Sequence, residues 1–234
     1  GIDAPGIGRF ACCGYPLRAS DRFSWLVSAA YNLALAESEG KDLLVICQCC
    51  FGSFKNAAGA IKGDTAISDA VNRFLSPHGL HYGGTSRIVN IMTFLHDEIG
   101  LDAIKAKVKK PFTGHFAASH TGCHSLRPSR VTEFDDPLNP KVLDDLISAL
   151  DAKSLPYPEK LECCGAPLTG SGDALSRAVL ARKLEGAKKA GADFLVTVNT
   201  ARRHFDRKDD DCVRVVTPGE FVNSDAAQSL IRRL

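Results

Sequence analysis

The sequence predicts an α/β fold of two similar domains, in which short parallel strands are flanked by helices. Stretches with apolar residues at helical spacing alternate with short apolar runs of strand length, and a glycine follows each helix. The tripeptide Cys-Cys-Gly also occurs twice, at residues 12–14 and 163–165, each time ahead of a helix and a strand. The alternation is typical of α/β proteins, and the repeated tripeptide indicates two related units.

The first half provides one helix and one buried strand after its Cys-Cys-Gly. Residues 21–38 have apolar side chains at helical spacing, Gly40 ends this helix, and residues 41–47 follow as a short buried strand. The second half repeats the order, with a helix at 178–189, Gly191 at its end and a strand at 192–198. A further strand, residues 113–119, opens the second half.

The two halves agree in spacing as well as in order. From the second cysteine of each pair to the turn after the strand there are 33 residues in the first half and 34 in the second. We therefore predict an internal duplication, with a first domain at residues 1–110 and a second at 111–234. By the same symmetry, the first domain is expected to open with a strand and a cysteine that precede Gly1.

Composition and cysteine count limit the function classes. The net charge of +2 gives no reason to expect nucleic-acid binding, and no apolar run approaches the roughly 18 residues of a membrane-spanning helix. Nine cysteines cannot pair completely, and a disulfide framework is uncommon in a chain of this length. We therefore predict a cytoplasmic protein whose reduced thiols serve metal binding or redox chemistry.

The turn after the first strand contains the most informative cysteines. Cys47 and Cys50 form a C-x-x-C where a strand ends and a helix begins, and the backbone N–H groups of such a helix start point outward. Together with Cys12 and Cys13, these residues predict one shared metal centre. The alternative is that the cysteines are small apolar residues of the core.

These motifs resemble the CCG domain and, more closely, the B-type subunit of the heterodisulfide reductases. The likeness runs over nearly the whole chain. It rests on CQCCFGSFKNA at 47–57, HTGCHSLRPS at 120–129, DDP at 135–137 and CCGA at 163–166, besides the first Cys-Cys-Gly. The segments at 120–129 and 135–137 point to this subunit type rather than to CCG proteins in general.

The resemblance implies a noncubane [4Fe–4S] cluster in the first domain, held by Cys12, Cys13, Cys47 and Cys50 with a fifth cysteine before Gly1. In the family, two such clusters cleave the disulfide between two thiol coenzymes. The resemblance also implies two partners, a ferredoxin-like C-type subunit that delivers electrons and a flavoprotein A-type subunit. The implied class is an oxidoreductase subunit of the heterodisulfide reductase type, with a disulfide as acceptor.

The second half departs from the family pattern at the turn after its strand. Asn199 and Arg202 stand where the second C-x-x-C is expected. Cys123, Cys163 and Cys164 remain, and they predict a second metal site that is weaker than the first. We therefore expect the second cluster to be absent, altered or smaller.

Further candidate residues surround this second site. His120 and His124 flank Cys123 and are candidate ligands, with hydrogen bonding inside the turn as the alternative. Cys212 lies beyond the turn and is an unfavourable substitute ligand.

Two other functions fit the same residues. The chain could be an electron relay that passes electrons to another catalytic subunit without binding substrate. It could also be a structural zinc protein, in which the four cysteines of the first half hold Zn²⁺ and fix an interface.

Overall fold

The computed structural model describes residues 6–169 and 171–198, together with the backbone of residues 214–216, and it has the predicted α/β architecture. The α-helices are α1 Arg22–Ser38, α2 Gln48–Lys62, α3 Thr65–Leu75, α4 Ile91–Thr93, α5 Leu101–Lys105, α6 Cys123–Leu126, α7 Ser129–Thr132, α8 Val142–Ala149 and α9 Asp173–Lys189. The strands are β1 Leu43–Val45, β2 Ile88–Asn90, β3 Phe116–His120, β4 Lys153–Ser154, β5 Phe194–Thr197 and β6 Arg214–Val216.

Shorter helical turns connect these elements. A π-helix spans Phe94–Gly100 and runs into α5. Turns of 3-10 helix lie at Tyr15–Leu17, Ser76–His78, Pro158–Leu161 and Ala166–Leu168.

The chain forms two compact units. The first contains Gly1–Ile91 and Arg127–Phe134, and the second contains Met92–Leu126 and Asp135–Leu234. The predicted domains 1–110 and 111–234 are defined by the repeated sequence motifs, whereas these units are defined by packing. The predicted domains stay a prediction.

In the first unit, β1 and β2 pair in parallel, with Val45 opposite Asn90 at their carboxyl ends. α1 begins after Asp21, whose carboxylate accepts a hydrogen bond from the Ser24 N–H at 3.0 Å and so caps the helix. The residues of α1 that face inward are apolar apart from Asn32, which is also buried. This helix packs against α2, so the two helices that follow the cysteine turns form the core of the unit.

In the second unit, four parallel strands form a sheet in the order β4-β3-β5-β6. All four residues of β5 are buried, as expected for a strand with neighbours on both sides. Leu180, Leu184 and Ala187 of α9 pack against Ala118 and Leu195 of the sheet, and this contact is the centre of the unit's core.

The structure confirms the predicted α/β class and the short parallel strands with flanking helices. The helix predicted at 178–189 begins earlier, at Asp173, because Ser176 is buried and its hydroxyl donates to the Gly165 carbonyl at 3.0 Å. That tertiary contact holds the first turn of α9. Within the described residues, no helix is long and apolar enough to cross a membrane.

Candidate functional site

The cysteines of the first unit come from two turns. Cys47 is the residue before α2 and accepts the first hydrogen bond of that helix, from the Phe51 N–H at 2.9 Å. Cys50 lies in the first turn of the same helix. The free N–H groups at a helix start favour negative charge, so this position suits thiolates.

The second turn, Cys12-Cys13-Gly14, lies against α1. Gly14 has the left-handed φ of 73°, and a Cβ on it would meet the Ser28 Cβ at 2.8 Å. A glycine is therefore required both by backbone conformation and by close approach to the helix. Asn32 fixes the chain just ahead of the glycine, because its side chain accepts from the Ala11 N–H at 2.8 Å and donates to the Cys12 carbonyl at 3.3 Å.

A second chain of hydrogen bonds ties this turn to both helices. The indole of Trp25 in α1 donates to the Ser53 hydroxyl at 2.7 Å, and that hydroxyl donates to the Cys13 carbonyl at 3.0 Å. Trp25, Ser53 and Cys13 are all buried. The position of Cys13 relative to α2 is thus set by buried polar contacts, which are costly to break.

Three thiols of the first unit meet. The Cys50 thiol forms side-chain hydrogen bonds with both Cys13 and Cys47. The bond to Cys50 lowers the pKa of Cys13 to about 6, against the opposing effect of burial, while the same contacts raise the pKa of Cys50. Interacting thiols of this kind titrate as a group rather than one by one. Cys12, the fourth predicted ligand, is exposed and adjacent to this group in the chain.

An iron–sulfur cluster fits the donor set of this site. Thiolate sulfur is the ligand of such clusters, three thiols already meet, and the start of α2 stabilises their negative charge. Among the described residues, no group of three or more His, Cys, Asp or Glu side chains is arranged so that it could hold a metal ion. The sulfurs of Cys13, Cys47 and Cys50 are linked by hydrogen bonds between thiols. The ligand set of Cys12, Cys13, Cys47 and Cys50 stays a prediction.

The second unit repeats the order of elements around its own cysteines. Gly165 follows Cys163 and Cys164, has φ 80°, and would carry a Cβ 2.6 Å from the Ser176 carbonyl oxygen. A 3-10 turn and a 17-residue helix come next, as they do after Gly14. That the two units arose by an internal duplication stays a prediction.

The cysteines of the second unit differ in exposure. Cys163 is exposed, and its sulfur accepts a hydrogen bond from the Gly165 N–H at 3.3 Å. Cys164 is buried, and burial raises its pKa. Cys123 is half-buried at the start of α6. Their role as a weaker metal site stays a prediction, and Asn199, Arg202 and Cys212 lie outside the described residues.

Lys183 is a functional candidate that the sequence analysis missed. It is fully buried, and its ammonium donates to the carbonyls of Glu159 and Lys160, the latter at 3.3 Å, and lies 5.4 Å from the ring centroid of Tyr157. Burial lowers its pKa to about 8, while Cys164, Glu162, Cys163 and Cys123 act in the opposite direction. Lys183 is therefore a buried cation whose pKa the cysteines of the second unit also influence.

The sequence contains a signal that identifies this lysine. Helices α1 and α9 both have 17 residues, and Lys183 occupies the same position in α9 as Asn32 in α1. Both side chains are buried, and both bind backbone groups ahead of a Cys-Cys-Gly turn. Aligning the two helices from their cysteine pairs would have placed a cation where the first unit has an amide.

His120 is buried in the second unit, at the end of β3. Burial, with the charge of Lys183, lowers its pKa to about 3, so the ring is neutral at physiological pH. Its role as a ligand, and that of His124, stays a prediction.

Comparison with known proteins agrees with these features. The family described as CCG, Cysteine-rich domain, matches residues 117–201. The B subunit of the ferredoxin/F(420)H(2)-dependent CoB-CoM heterodisulfide reductase of Methanosarcina acetivorans is 33% identical over 199 residues, covering 83% of this chain and 65% of that protein. A protein of Archaeoglobus profundus described as similar to the heterodisulfide reductase B subunit is 34% identical, covering 84% of this chain and 68% of that protein.

A third relative is named as a subunit of a different reductase. The 8-methylmenaquinol:fumarate reductase membrane anchor subunit of Wolinella succinogenes is 30% identical, with coverage of 84% of this chain and 68% of its own length. The chain thus spans about two thirds of the length of the relatives it matches.

Among solved structures, a hypothetical protein from Helicobacter pylori shares the fold, with a TM-score of 0.66 at 18% identity over 88% of this chain and 39% of that one. The structural neighbour supports the fold alone, whereas the sequence relatives also identify the family. With a third of its residues shared over most of its length, and with the paired cysteine turns in place, the chain belongs to the family of heterodisulfide reductase B subunits.

Proposed function

We propose that this chain is the iron–sulfur B-type subunit of a heterodisulfide reductase-like complex and carries out thiol/disulfide redox chemistry or electron transfer. Cys12, Cys13, Cys47 and Cys50 would hold a noncubane [4Fe–4S] cluster in the first domain. The observation that supports this most is the meeting of the Cys13, Cys47 and Cys50 thiols at the start of α2. A bound cluster would supply one-electron chemistry at these sulfurs.

The residues of the chain would give this site its order. Cys47 and Cys50 come from one helix start, so their relative position is fixed by α2. Cys13 is held by Ser53 through its carbonyl, and Asn32 holds the backbone of Cys12. The charge that the thiolates carry would be stabilised by N–H groups at the helix start. Each protein group therefore orients a sulfur or stabilises its charge.

The partners are proposed from the same family. A ferredoxin-like C-type subunit would deliver electrons, and a flavoprotein A-type subunit would supply them, in a cytoplasmic complex. Exposed apolar side chains near the cysteines suit such contact, because Ile46, next to Cys47, is 70% exposed and Phe10 and Leu17, near Cys12, are each 39% exposed. Apolar residues that flank a redox site are typical of a docking surface.

The test is the iron content of matched serine variants. Cys47→Ser should remove most of the iron, because it deletes one of the converging sulfurs. Cys49→Ser changes a cysteine of the same helix turn that lies outside the predicted ligand set, and it should retain iron. Cys212→Ser should retain it as well. Iron and acid-labile sulfide are measured after anaerobic purification, and equal iron in Cys47→Ser and Cys49→Ser would refute the ligand assignment.

The same samples separate the proposal from its alternatives. Zinc in place of iron in the unaltered protein would favour the structural zinc protein. For the relay, a thiol or disulfide is added while the cluster is followed by electron paramagnetic resonance. A spectrum that changes on addition supports chemistry at the cluster, and an unchanged spectrum supports a relay.

A further inference from the structure

One buried amide in the first unit, that of Gln48, is only partly hydrogen-bonded among the described residues. Gln48 is the first residue of α2, directly after Cys47, and its side chain is fully buried. Its Oε1 accepts a hydrogen bond from the Asn90 Nδ2 at 2.6 Å. No described residue accepts a hydrogen bond from its Nε2. A buried donor without an acceptor destabilises a fold, so a donor in this position indicates a further binding partner.

Asn32 provides the contrast of a fully bonded amide in the same unit. It is buried like Gln48, and it holds the other cysteine turn. Its Oδ1 accepts from the Ala11 N–H at 2.8 Å, and its Nδ2 donates to the carbonyls of Ser28 at 2.8 Å and Cys12 at 3.3 Å. The oxygen and the nitrogen of that amide both have partners inside the unit. Gln48 differs, because only its oxygen has a partner within the described chain.

The hydrogen bond to Asn90 fixes the orientation of the Gln48 amide. Asn90 is the last residue of β2, is buried, and pairs with Val45, the last residue of β1. Both amides therefore lie where the two parallel strands end and the turn with Cys47 begins. Because Oε1 and Nε2 belong to one planar amide, holding the oxygen at Asn90 also fixes the direction of the nitrogen.

A cluster in the first cysteine group would supply the acceptor that this donor requires. Cys47 and Cys50 flank Gln48 in the same helix turn, and the Cys50 thiol contacts those of Cys47 and Cys13. Hydrogen bonds to the sulfurs of an iron–sulfur cluster are one of the factors that set its reduction potential. Polar side chains behind the ligands commonly orient and tune a metal centre in this way.

We propose that Gln48 binds the cluster as a hydrogen-bond donor, through its Nε2 and a cluster sulfur, and that Asn90 is the positioning residue that orients it. This inference rests on the proposed cluster in the first domain and goes beyond it by naming a residue that sets the potential. Reduction makes the cluster more negative, so a donor stabilises the reduced form more than the oxidised form. Gln48 therefore raises the reduction potential without being a ligand.

The test is the midpoint potential of the iron-loaded chain, from an anaerobic redox titration followed by electron paramagnetic resonance. Gln48→Met keeps the length of the side chain and removes the donor. It should bind as much iron per chain as the unaltered protein, because every predicted ligand is present. Its equilibrium constant for one-electron reduction should fall about tenfold, which lowers the potential by about 59 mV. An unchanged potential would overturn the inference.

A second variant tests whether Asn90 acts through Gln48. Asn90→Leu removes the orienting hydrogen bond and keeps a side chain of similar size, so the potential should fall in the same direction, by less than in Gln48→Met. In the double variant, the loss of Asn90 should add nothing, because the donor that it orients is already gone. Additive decreases would show that the two amides act independently, and they would overturn the role given to Asn90.

The matched control removes another amide of the same unit. Asn72 accepts from the Tyr82 N–H at 2.8 Å and donates to the Tyr82 carbonyl at 3.2 Å. Asn72→Leu should lower the free energy of unfolding in urea and leave the potential unchanged. If it shifts the potential as much as Gln48→Met, destabilisation explains the shift and the inference fails. If Gln48→Met does not fold, Gln48→Glu keeps an acceptor for Asn90 and removes the donor, and a lower potential is again expected.

Iron and acid-labile sulfide, measured in the same samples, separate this inference from the proposed function. A cluster whose potential is the same with and without the Gln48 amide overturns the inference alone. Iron lost from both Gln48 variants and retained in Asn72→Leu would make Gln48 necessary for cluster assembly, and it would overturn the tuning role. An unaltered protein without a cluster would overturn the proposed function and the inference together.

Discussion

At the scale of single residues, the glycine after each cysteine pair is constrained both by its backbone conformation and by its neighbours. Gly14 and Gly165 both have left-handed φ values and both approach the following helix closely. At Gly165 the neighbour is the backbone carbonyl of Ser176, which cannot move without the helix. The tripeptide is therefore a packing motif as well as a carrier of thiols.

We expect Gly165→Ala to be more destabilising than a matched glycine change. Gly191→Ala is the control, because Gly191 has a φ of 85° and nothing lies within 4 Å of its added Cβ. It should cost about 1–2 kcal/mol, the cost of left-handed backbone alone. Gly165→Ala should cost about 1–3 kcal/mol more, since the added methyl displaces a packed helix. Urea denaturation measures both, and equal losses would show that the close approach to Ser176 is unimportant.

Single residues also show where sequence reasoning stops. Contact between the Cys-Cys turn and the C-x-x-C could be expected, because both flank one helix and one strand of a compact unit. The composition of Arg182-Lys183 is that of a solvated helix face and does not predict the burial of Lys183, to which only the alignment with Asn32 of α1 points. Lys183 is buried by Tyr157 and by carbonyls of a distant segment, and such contacts depend on tertiary packing.

At the scale of elements, His96 joins the π-helix to α8. Its Nδ1 lies 2.5 Å from Asp97, and its Nε2 lies 3.2 Å from Asp145. Burial lowers the pKa of His96, but the hydrogen bonds and charges of the two carboxylates outweigh burial and raise it. Neither the π-helix nor this bridge has a signal in the sequence, since the three side chains meet only after α8 packs.

This raised pKa predicts a pH-dependent contribution to stability. The folded state binds the proton more tightly than the unfolded state, so the stabilisation is fully present below the unfolded pKa of about 6.5 and is lost as pH rises through the higher folded value. His96→Gln should therefore cost a few tenths to about 1 kcal/mol at about pH 6, and less at about pH 9. Asp145→Asn should reduce the pH dependence. Urea denaturation across this range is the measurement, and a loss independent of pH would contradict the bridge.

At the scale of the whole molecule, packing and sequence repeat divide the chain differently. Arg127–Phe134 belongs to the first compact unit although it follows the first strand of the second half. Phe134 packs edge-to-face on Phe51 at 6.0 Å, and Val131 lies beside Gly59 of α2. Short helical segments such as α7 carry no periodic pattern that could predict this return.

The second half offers a whole-site prediction. Asn199→Cys together with Arg202→Cys restores the missing C-x-x-C, and it should raise the iron per chain, because the Cys-Cys-Gly turn and its helix are already in place. Asn199→Ser with Arg202→Ser is the matched control without thiols, and it should leave iron unchanged. Iron per chain is the readout, and no gain from the cysteine pair would mean that the site lacks more than two ligands.

Hydrogen bonds from Trp25 through Ser53 to Cys13 also place the tryptophan where its fluorescence can report on the first cysteine group. Trp25 is the one tryptophan in the sequence, so all indole emission comes from beside the first cysteine group. A metal centre forming at those sulfurs lies within short range of the fluorophore, and an absorbing cluster quenches emission at such distances. The rate at which the site fills can therefore be followed in the native chain, without a dye or an engineered label.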